Sequence, residues 1–203
     1  MNRNNVVLLI PHYKNLDGLC TSLSSIDKNE CLDVLIIDDG SNIDFDENKI
    51  RTFFFGKGFV FFQYLKENSG IEIALNNGLE FILNKKYTYT ARLDCGDLCV
   101  KDRFKTQETY LDLNKDISLV GTNVDFLDTN GNLVYTLIVP EKDELIRKKM
   151  FINAMHIHPT IMFRNSILEV IGCYPIEYIA AEDYAFFFNV INSFKVANIN
   201  EVL

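Results

Sequence analysis

Four short apolar runs, separated by longer connecting segments, place the strongest constraint on what this chain can fold into. The runs occupy residues 6–10, 33–37, 59–64 and 87–93. Unbroken apolar runs of this length are typical of strands buried on both faces of a parallel sheet. Right-handed crossovers bring the carboxyl ends of such strands to one edge, and in open α/β sheets that is the edge where ligands bind.

Two of the connecting segments predict helices that cover the sheet. Their apolar residues recur at helical spacing, at Leu16, Leu19, Leu23 and Ile26 in the first connection and at Ile71, Ala74, Leu75, Leu79 and Ile82 in the third. Ala74 and Gly78 are small enough for close packing against the sheet. Residues 43–55 predict a helix more weakly. The expected fold is therefore α/β and Rossmann-like, with a mostly parallel central sheet and helices on both faces.

Two aspartates follow the fourth apolar run, where the predicted strand ends. They lie in the sequence Asp94-Cys95-Gly96-Asp97. Carboxylate oxygens suit a hard divalent cation, since Mg²⁺ or Mn²⁺ usually takes only one or two carboxylates together with phosphate oxygens. Asp and Gly are also ordinary turn residues, so a solvated turn without a metal is the alternative.

The ends of the first two predicted strands suggest a nucleotide pocket. Pro11-His12-Tyr13 follows the first run and Asp38-Asp39 the second, and a βαβ crossover places them side by side. A tyrosine ring can stack on a base, and a carboxylate can accept a hydrogen bond from a base N–H. The alternative is turn chemistry again, because Asp-Asp-Gly-Ser forms a turn on any fold. No G-x-G-x-x-G follows the first strand, which weakens a dinucleotide interpretation.

The second half of the chain has a different character. Polar helices are predicted from about residue 101 to 114 and over 141–150. Between them, β-rich runs over 118–126 and 133–138 flank an Asn-Gly pair, which signals a small antiparallel hairpin.

Two later segments carry further candidate side chains. His156 and His158 lie in a loop that leads into a strand, and they favour a hydrogen-bonded pocket wall or plain packing. Metal ligation by this pair lacks an identifiable third ligand. Glu182 and Asp183 begin a last helix that ends near residue 193. The helix dipole alone favours acids in a first turn, so a structural role is the alternative for them.

Charge and cysteine content argue against several classes of protein. Twenty Lys and Arg residues against 28 Asp and Glu residues give a net charge of −8, which disfavours nucleic acid as the main partner. Five scattered cysteines and no apolar signal region predict a reduced, cytoplasmic protein. Cys95-x-x-x-Cys99 lacks the second ligand pair that zinc usually needs. No apolar run approaches the roughly 20 residues that span a bilayer, so any membrane contact should be peripheral, at the inner face, or lie beyond this chain.

Six short motifs make the chain resemble glycosyltransferase family 2, the inverting nucleotide-sugar-dependent transferases with the A-type glycosyltransferase fold. In order, they are I-P-H-Y-K-N, L-I-I-D-D-G-S, E-N-S-G-I-E-I-A-L-N-N-G-L-E, A-R-L-D-C-G-D, H-P-T-I-M-F-R and A-E-D-Y-A-F. Each motif is weak singly, but their order and spacing match the family over nearly the whole chain. The resemblance implies one nucleotide-diphospho-sugar transferase domain over 1–203, with a nucleotide-binding half at 1–97 and an acceptor-side half at 98–203.

The resemblance also implies roles for individual residues. These are Pro11, Tyr13 and Asp39 for the base, Arg92, Asp94 and His158 as further donor contacts, Asp94 and Asp97 for Mn²⁺ or Mg²⁺, and Asp183 as the catalytic base. Two departures matter. The family often shows Asp-x-Asp-Asp where this chain has Gly96 before Asp97. The chain also stops at a predicted strand, 198–203, that the family follows with further residues, so truncation at the C-terminus is expected.

The implied reaction is transfer of a sugar from a UDP-sugar to an acceptor hydroxyl with inversion. A saccharide or lipid-linked saccharide acceptor and bacterial cell-surface polysaccharide synthesis go with the resemblance. A sugar nucleotidyltransferase is disfavoured, because the glycine-rich, arginine-containing loop that such enzymes place after the first strand is absent. A nucleotide-sugar-binding relative that has lost catalysis remains the alternative, given Gly96 and the short C-terminus.

Overall fold

The structure, a computed structural model, describes residues 4–43, 45–100 and 102–203. Its strands are β1 (Val6–His12), β2 (Asp33–Asp38), β3 (Val60–Tyr64), β4 (Tyr89–Arg92), β5 (Ile117–Leu127), β6 (Leu133–Leu137), β7 (Met162–Arg164) and β8 (Lys195–Val202). Its α-helices are α1 (Leu16–Ser25), α2 (Glu47–Arg51), α3 (Ile71–Lys85), α4 (Arg103–Leu113), α5 (Asp143–Met150), α6 (Leu168–Ile171) and α7 (Glu182–Ser193). Short 3-10 helices lie at His158–Thr160 and Asn165–Ile167.

The strands form one mixed sheet in the order β3-β2-β1-β4-β7-β5-β6, with β8 paired to β5. The first four strands of this order are parallel to one another, as the apolar runs predict. β7 runs antiparallel to both of its neighbours, and β8 runs parallel to β5. β5 and β6 form the predicted antiparallel hairpin. The α/β fold with a mostly parallel sheet is therefore confirmed.

Each face of the sheet has its own apolar core, because alternate strand residues point to opposite sides. Val7 and Leu9 of β1 pack in the core with α3, α5, α6 and α7. Leu8 and Ile10 pack on the other face with α1, α2 and α4. Gly78 lets α3 approach closely, since a Cβ there would lie 2.4 Å from a methyl carbon of Leu9. Helices on both faces and the close packing of α3 are confirmed.

The first strand continues past the proline that the apolar pattern predicts as its end. β1 pairs with β4 only as far as Leu9, whereas its pairing with β2 continues to His12. Pro11 lies on the open side, beyond the last β4 pair, so its missing N–H interrupts no ladder hydrogen bond.

Two other boundaries differ from prediction. Among the described residues of 43–55, the α-helix covers only α2, which the Asp46 side chain caps by accepting a hydrogen bond from the Lys49 N–H. Phe53 and Phe54 then leave the helix and pack against the apolar core, so the prediction of a longer helix is wrong. Residue 101, where the polar helix is predicted to start, lies outside the described residues. No helix in the described ranges is both long and apolar enough to cross a bilayer.

Candidate functional site

The carboxyl ends of β1 and β2 are joined by a buried pair, His12 and Asp38. The His12 Nδ1 and the Asp38 Oδ1 are 2.6 Å apart, and the backbone N–H of Asn15 donates to the His12 Nε2 at 3.1 Å. Nε2 therefore accepts, which puts the imidazole proton on Nδ1, facing the carboxylate. Asp38 also accepts from the Ser41 backbone and hydroxyl. This pair locks together the two loops that leave the strands.

Asp39, the predicted base ligand, lies beside this pair and is buried. Its backbone N–H donates to the His12 carbonyl at 2.8 Å. Its carboxylate accepts the backbone N–H groups of Ser69 at 2.8 Å and Gly70 at 3.0 Å. Asp39 thus anchors the start of α3 to the sheet edge. Each carboxylate oxygen has a second lone pair, so a base N–H can still be accepted.

Tyr13 extends from the same edge and is 43% exposed, which leaves its ring free to stack on a planar ligand. The Lys14 ammonium lies 5.0 Å from its ring centroid. The neighbouring Pro11 carbonyl accepts a hydrogen bond from the Cys95 thiol at 3.3 Å, which connects this loop to the acidic turn. Burial, aided by the charge of Asp94, raises the pKa of that thiol to about 12.

Arg92 ends β4 and is completely buried. One Nη donates to the Leu9 and Leu93 carbonyls at 2.9 and 3.1 Å, and the other pairs with the Asp94 carboxylate at 2.6 Å. The Asp94 side chain is 38% exposed, so the pair faces the solvent from its acidic side. A fixed buried cation therefore orients the first carboxylate of the turn.

The second acid of the turn, Asp97, is exposed, and its side-chain carboxylate has no hydrogen-bond partner among the described residues. Loss of hydration in the crowded turn and the negative charge of Asp94 raise the pKa of Asp97. A divalent cation between the two carboxylates would remove their repulsion.

The donor set of this turn fits Mg²⁺ or Mn²⁺, which need only one or two carboxylates from the protein. Across residues 4–43, 45–100 and 102–203 no group of three or more His, Cys, Asp or Glu side chains is placed to hold a metal. A cation at Asp94 and Asp97 would take its other ligands from water or phosphate.

His158 forms the wall beside Arg92, as the hydrogen-bonded alternative predicts. Its Nε2 accepts from the Arg92 Nε–H at 3.3 Å and lies 2.9 Å from the Tyr174 hydroxyl. His156 makes a different hydrogen bond: its Nδ1 lies 2.8 Å from the Asn198 Oδ1, while its Nε2 is buried without a hydrogen-bond partner among the described residues. The two histidines thus point to different partners, and the strand that they were expected to enter begins only at Met162.

The predicted base, Asp183, is half-buried in the first turn of α7. Burial chiefly raises the pKa of the Tyr174 hydroxyl, and the negative charges of Asp183 and Asp94 both add to that effect. The nearby charge of Arg92 opposes both acids. The Tyr174 ring also stacks on Phe186 of α7, with 4.4 Å between the ring centroids.

Several residues of this region give no signal in the sequence. Tyr174 and the buried Arg103 are examples: Arg103 donates to the carbonyls of Arg92 at 2.7 Å and Pro159 at 2.6 Å. Glu182 is predicted only as a helix-dipole acid, but it is buried, and its Oε2 has no hydrogen-bond partner in the described part of the chain. Burial, then the charges of Asp183 and Glu72, raise the pKa of Glu182.

Comparison with known proteins gives one family and one fold. Residues 7–172 match glycosyl transferase family 2. The O-antigen biosynthesis glycosyltransferase WbnJ of Escherichia coli is 29% identical over 105 residues, which cover 52% of this chain and 39% of WbnJ. The chain spans only 29% to 51% of the length of the curated relatives that it matches.

Two solved structures share the fold at low sequence identity. Staphylococcus aureus TarS 1-349 in complex with UDP superposes with a TM-score of 0.73 at 18% identity, covering 97% of this chain and 58% of that one. The mannosyltransferase PcManGT of Pyrobaculum calidifontis, in complex with GDP-Man and Mn²⁺, gives a TM-score of 0.69 at 14% identity, covering 100% of this chain and 56% of that one.

Proposed function

The chain belongs to glycosyl transferase family 2, and on that premise we propose that it transfers a sugar from a nucleoside diphosphate sugar, with UDP as the nucleotide, to an acceptor hydroxyl with inversion. One observation carries the proposal. Asp94 is hydrogen-bonded to Arg92, Arg92 to His158, and His158 to Tyr174. The Tyr174 ring in turn stacks on Phe186 of α7, with 4.4 Å between ring centroids. These contacts connect the acidic turn after β4 with the helix whose first turn carries Asp183, which supports a metal-diphosphate site and a base close to each other. Inversion requires attack from the face opposite the leaving group, and two separate segments suit that geometry.

The nucleotide would lie at the ends of β1 and β2. The exposed Tyr13 ring is available to stack on uracil, Pro11 lines the same loop, and Asp39 can accept the uracil N–H. UDP is bound by TarS, whose fold this chain shares. This assignment keeps Asp39 in two roles, because its carboxylate also anchors the start of α3.

Asp94 and Asp97 would hold Mn²⁺ or Mg²⁺, the ion that PcManGT carries being Mn²⁺. When bound, the ion would offset the negative charge that grows on the departing diphosphate. Arg92 orients the Asp94 carboxylate through a 2.6 Å hydrogen bond from its Nη to the Asp94 Oδ1. His158 holds Arg92 in place by accepting a hydrogen bond from its Nε–H.

Asp183 would remove the proton of the acceptor hydroxyl during attack. A hydroxyl is a poor nucleophile at neutral pH, so a positioned carboxylate accelerates the reaction. The backbone N–H of Tyr184 donates to the Asp183 Oδ1 at 2.6 Å, which orients the carboxylate at the start of α7. The second oxygen, Oδ2, would then face the acceptor.

The acceptor would be a saccharide or lipid-linked saccharide, in bacterial cell-surface polysaccharide synthesis at the cytoplasmic face of the membrane. WbnJ, a relative named for O-antigen biosynthesis, supports the part of this proposal that concerns polysaccharide synthesis. Gly96 has a φ of 104°, a backbone conformation that glycine adopts readily and in which an aspartate would be strained. The glycine therefore suits the shape of this turn, and its presence in place of an aspartate does not by itself indicate that the metal site is lost.

A donor screen tests the proposal. Thermal-shift titration with UDP- and GDP-sugars, with and without Mn²⁺, should show stabilisation by a UDP-sugar that depends on the metal. Release of UDP from that donor, slow alone and faster with saccharide acceptors, would then establish transfer. Binding without release, even with acceptors, would favour the catalytically impaired relative. No stabilisation by any nucleotide sugar would contradict both.

A further inference from the structure

Ser22 of α1 is completely buried and lies directly beneath the acidic turn. Its hydroxyl accepts the Gly96 N–H at 2.9 Å. Its single proton is directed to the Asp97 carbonyl at 2.8 Å, with the Asp94 carbonyl farther away at 3.2 Å. One hydroxyl, more than 70 residues away in sequence, thus contacts the backbone of three of the four residues in the turn.

The neighbouring contacts strengthen this attachment. Ser25, one turn later in α1, accepts the Cys99 N–H at 2.9 Å and donates to the Ser22 carbonyl at 2.7 Å. Asn15, which caps α1, donates to the Cys95 carbonyl at 3.4 Å. Apart from the bond between Ser25 and Ser22, these bonds go to the backbone of residues 94–99, so none of them occupies a carboxylate oxygen of Asp94 or Asp97.

The hydrogen bonds from α1 counteract the electrostatic repulsion within the turn. Asp94 and Asp97 carry like charges, and an unsupported turn would let them separate before a cation arrives. The turn has only one backbone hydrogen bond of its own across these residues, from the Asp97 N–H to the Asp94 carbonyl at 3.1 Å. The hydroxyl of Ser22 adds hydrogen bonds from outside the turn, and its position is fixed because Ser22 lies in helix α1.

We propose that Ser22 is a positioning residue that holds the Asp94 and Asp97 carboxylates at the spacing required for a divalent cation. The inference rests on the proposed function, because it assumes that the turn binds Mn²⁺ or Mg²⁺. Ser22 acts only through the backbone and touches neither the metal nor the substrate. Loss of such outer partners commonly weakens metal affinity by about 10- to 100-fold.

The test compares the affinity of UDP in Mn²⁺ with its affinity in a chelator, by calorimetry, for wild type and Ser22→Ala. Thr21→Ala is the matched control, since Thr21 is on the same helix and its hydroxyl donates within that helix, to the Asp17 carbonyl at 2.8 Å. A second readout needs no nucleotide: the electron paramagnetic resonance signal of free Mn²⁺, titrated with each protein. Ser22→Thr keeps the hydroxyl and serves as the rescue variant.

Ser22→Ala should lose about 10-fold or more of the Mn²⁺-dependent affinity, while UDP affinity in chelator stays at the wild-type value. Ser22→Thr should recover most of the loss, and Thr21→Ala should match wild type. Should the alanine variant fold poorly, Ser22→Cys keeps the volume, weakens all three hydrogen bonds and carries the same expectation. Wild-type Mn²⁺ dependence in Ser22→Ala or Ser22→Cys would overturn the role of Ser22 alone. Absence of Mn²⁺ dependence in wild type would instead overturn the metal site, and the role of Ser22 with it.

Discussion

The Nε–H of Arg92 points at the Nε2 of His158, 3.3 Å away, and this contact sets the protonation state of the imidazole. Arginine has no acceptor, so Nε2 must accept, and the Tyr174 hydroxyl at 2.9 Å can only donate to the same nitrogen. Burial, and then the charge of Arg92, lower the pKa of His158 well below 6.5. The wall of the pocket is therefore a neutral imidazole at neutral pH, and Arg92 is the cation beside it.

The buried His156 and His158, whose pKa values are both lowered, predict that acid destabilises the protein. Burial lowers the pKa of His156 from 6.5 to about 4. Between these values the unfolded state binds more protons than the native state, so the free energy of unfolding falls as the pH falls. The contribution of His156 is complete above pH 6.5, and about 3 kcal/mol of it is lost on reaching pH 4.

Urea denaturation from pH 7.5 to pH 4.5 checks this prediction. His156→Asn should give a shallower fall in the free energy of unfolding with acid than wild type does, whatever its stability at pH 7.5. Carboxylates titrate in both proteins and cancel in the comparison. Parallel curves for the two proteins would rule out the contribution assigned to His156.

Gly40 is predicted to be the least replaceable glycine of the nucleotide edge. It has φ 65°, and a Cβ there would lie 2.2 Å from the backbone carbonyl carbon of Glu67. Gly40→Ala should therefore lower the free energy of unfolding by about 2–5 kcal/mol, from left-handed strain and from displaced backbone. Gly131 in the hairpin also has a positive φ, 82°, but an added Cβ would meet nothing within 4 Å. Gly131→Ala should lose only about 1–2 kcal/mol, and equal losses in chemical denaturation would contradict the role of the Glu67 contact.

The parallel half of the sheet could be predicted because its signals are local. Unbroken apolar runs such as 33–37 become strands that are buried on both faces, and small residues such as Gly78 mark close helix packing. The prediction of a helix over residues 43–55 was wrong because the determining contacts there are not local. Phe53 and Phe54 have helical spacing with their neighbours, but tertiary packing of the rings against the core determines the path of the chain.

The candidate site could be predicted only where a residue of characteristic chemistry, such as an aspartate, follows the end of a predicted strand or begins a predicted helix. Asp94 and Asp97 stand out in this way. Ser22 and Tyr174 do not, because their importance comes from contacts with residues far away in sequence, and a lone Ser or Tyr on a helix or loop carries no pattern. Periodicity also cannot separate Glu182 from Asp183, although the structure buries the former and leaves the latter half-exposed.

Asp39 is expected to recognise the base rather than the diphosphate. A charge-assisted hydrogen bond to the uracil N–H contributes roughly 1.5–3 kcal/mol, so Asp39→Ala should weaken UDP binding by that amount. The binding of pyrophosphate with Mn²⁺ is the control, and it should change much less. Because Asp39 also anchors Ser69 and Gly70, the folded state of the variant is checked by thermal melting. Equal losses for the two ligands would remove Asp39 from the base pocket.

Asp183→Asn keeps the size of the proposed base and removes its basicity. Sugar transfer should fall by about 10²–10⁴-fold, while the affinity for UDP with Mn²⁺ stays near wild type. Glu182→Gln is the neighbouring comparison, since adjacent helix residues point about 100° apart and only one can face the acceptor. Glu182→Gln should reduce the transfer rate less than Asp183→Asn does. A variant of Asp183 that keeps most of its transfer rate would leave that acid with a structural role at the helix start.

The most direct test of the account is the affinity of UDP measured by calorimetry with Mn²⁺ and with a chelator, in wild type and Asp97→Asn. The central claim is that the carboxyl edge of the sheet binds a nucleoside diphosphate through a divalent cation held by Asp94 and Asp97. UDP should bind wild type more tightly with Mn²⁺ than with chelator, and Asp97→Asn should lose most of that difference. Equal affinity in Mn²⁺ and chelator, or an unchanged difference in Asp97→Asn, would contradict the claim.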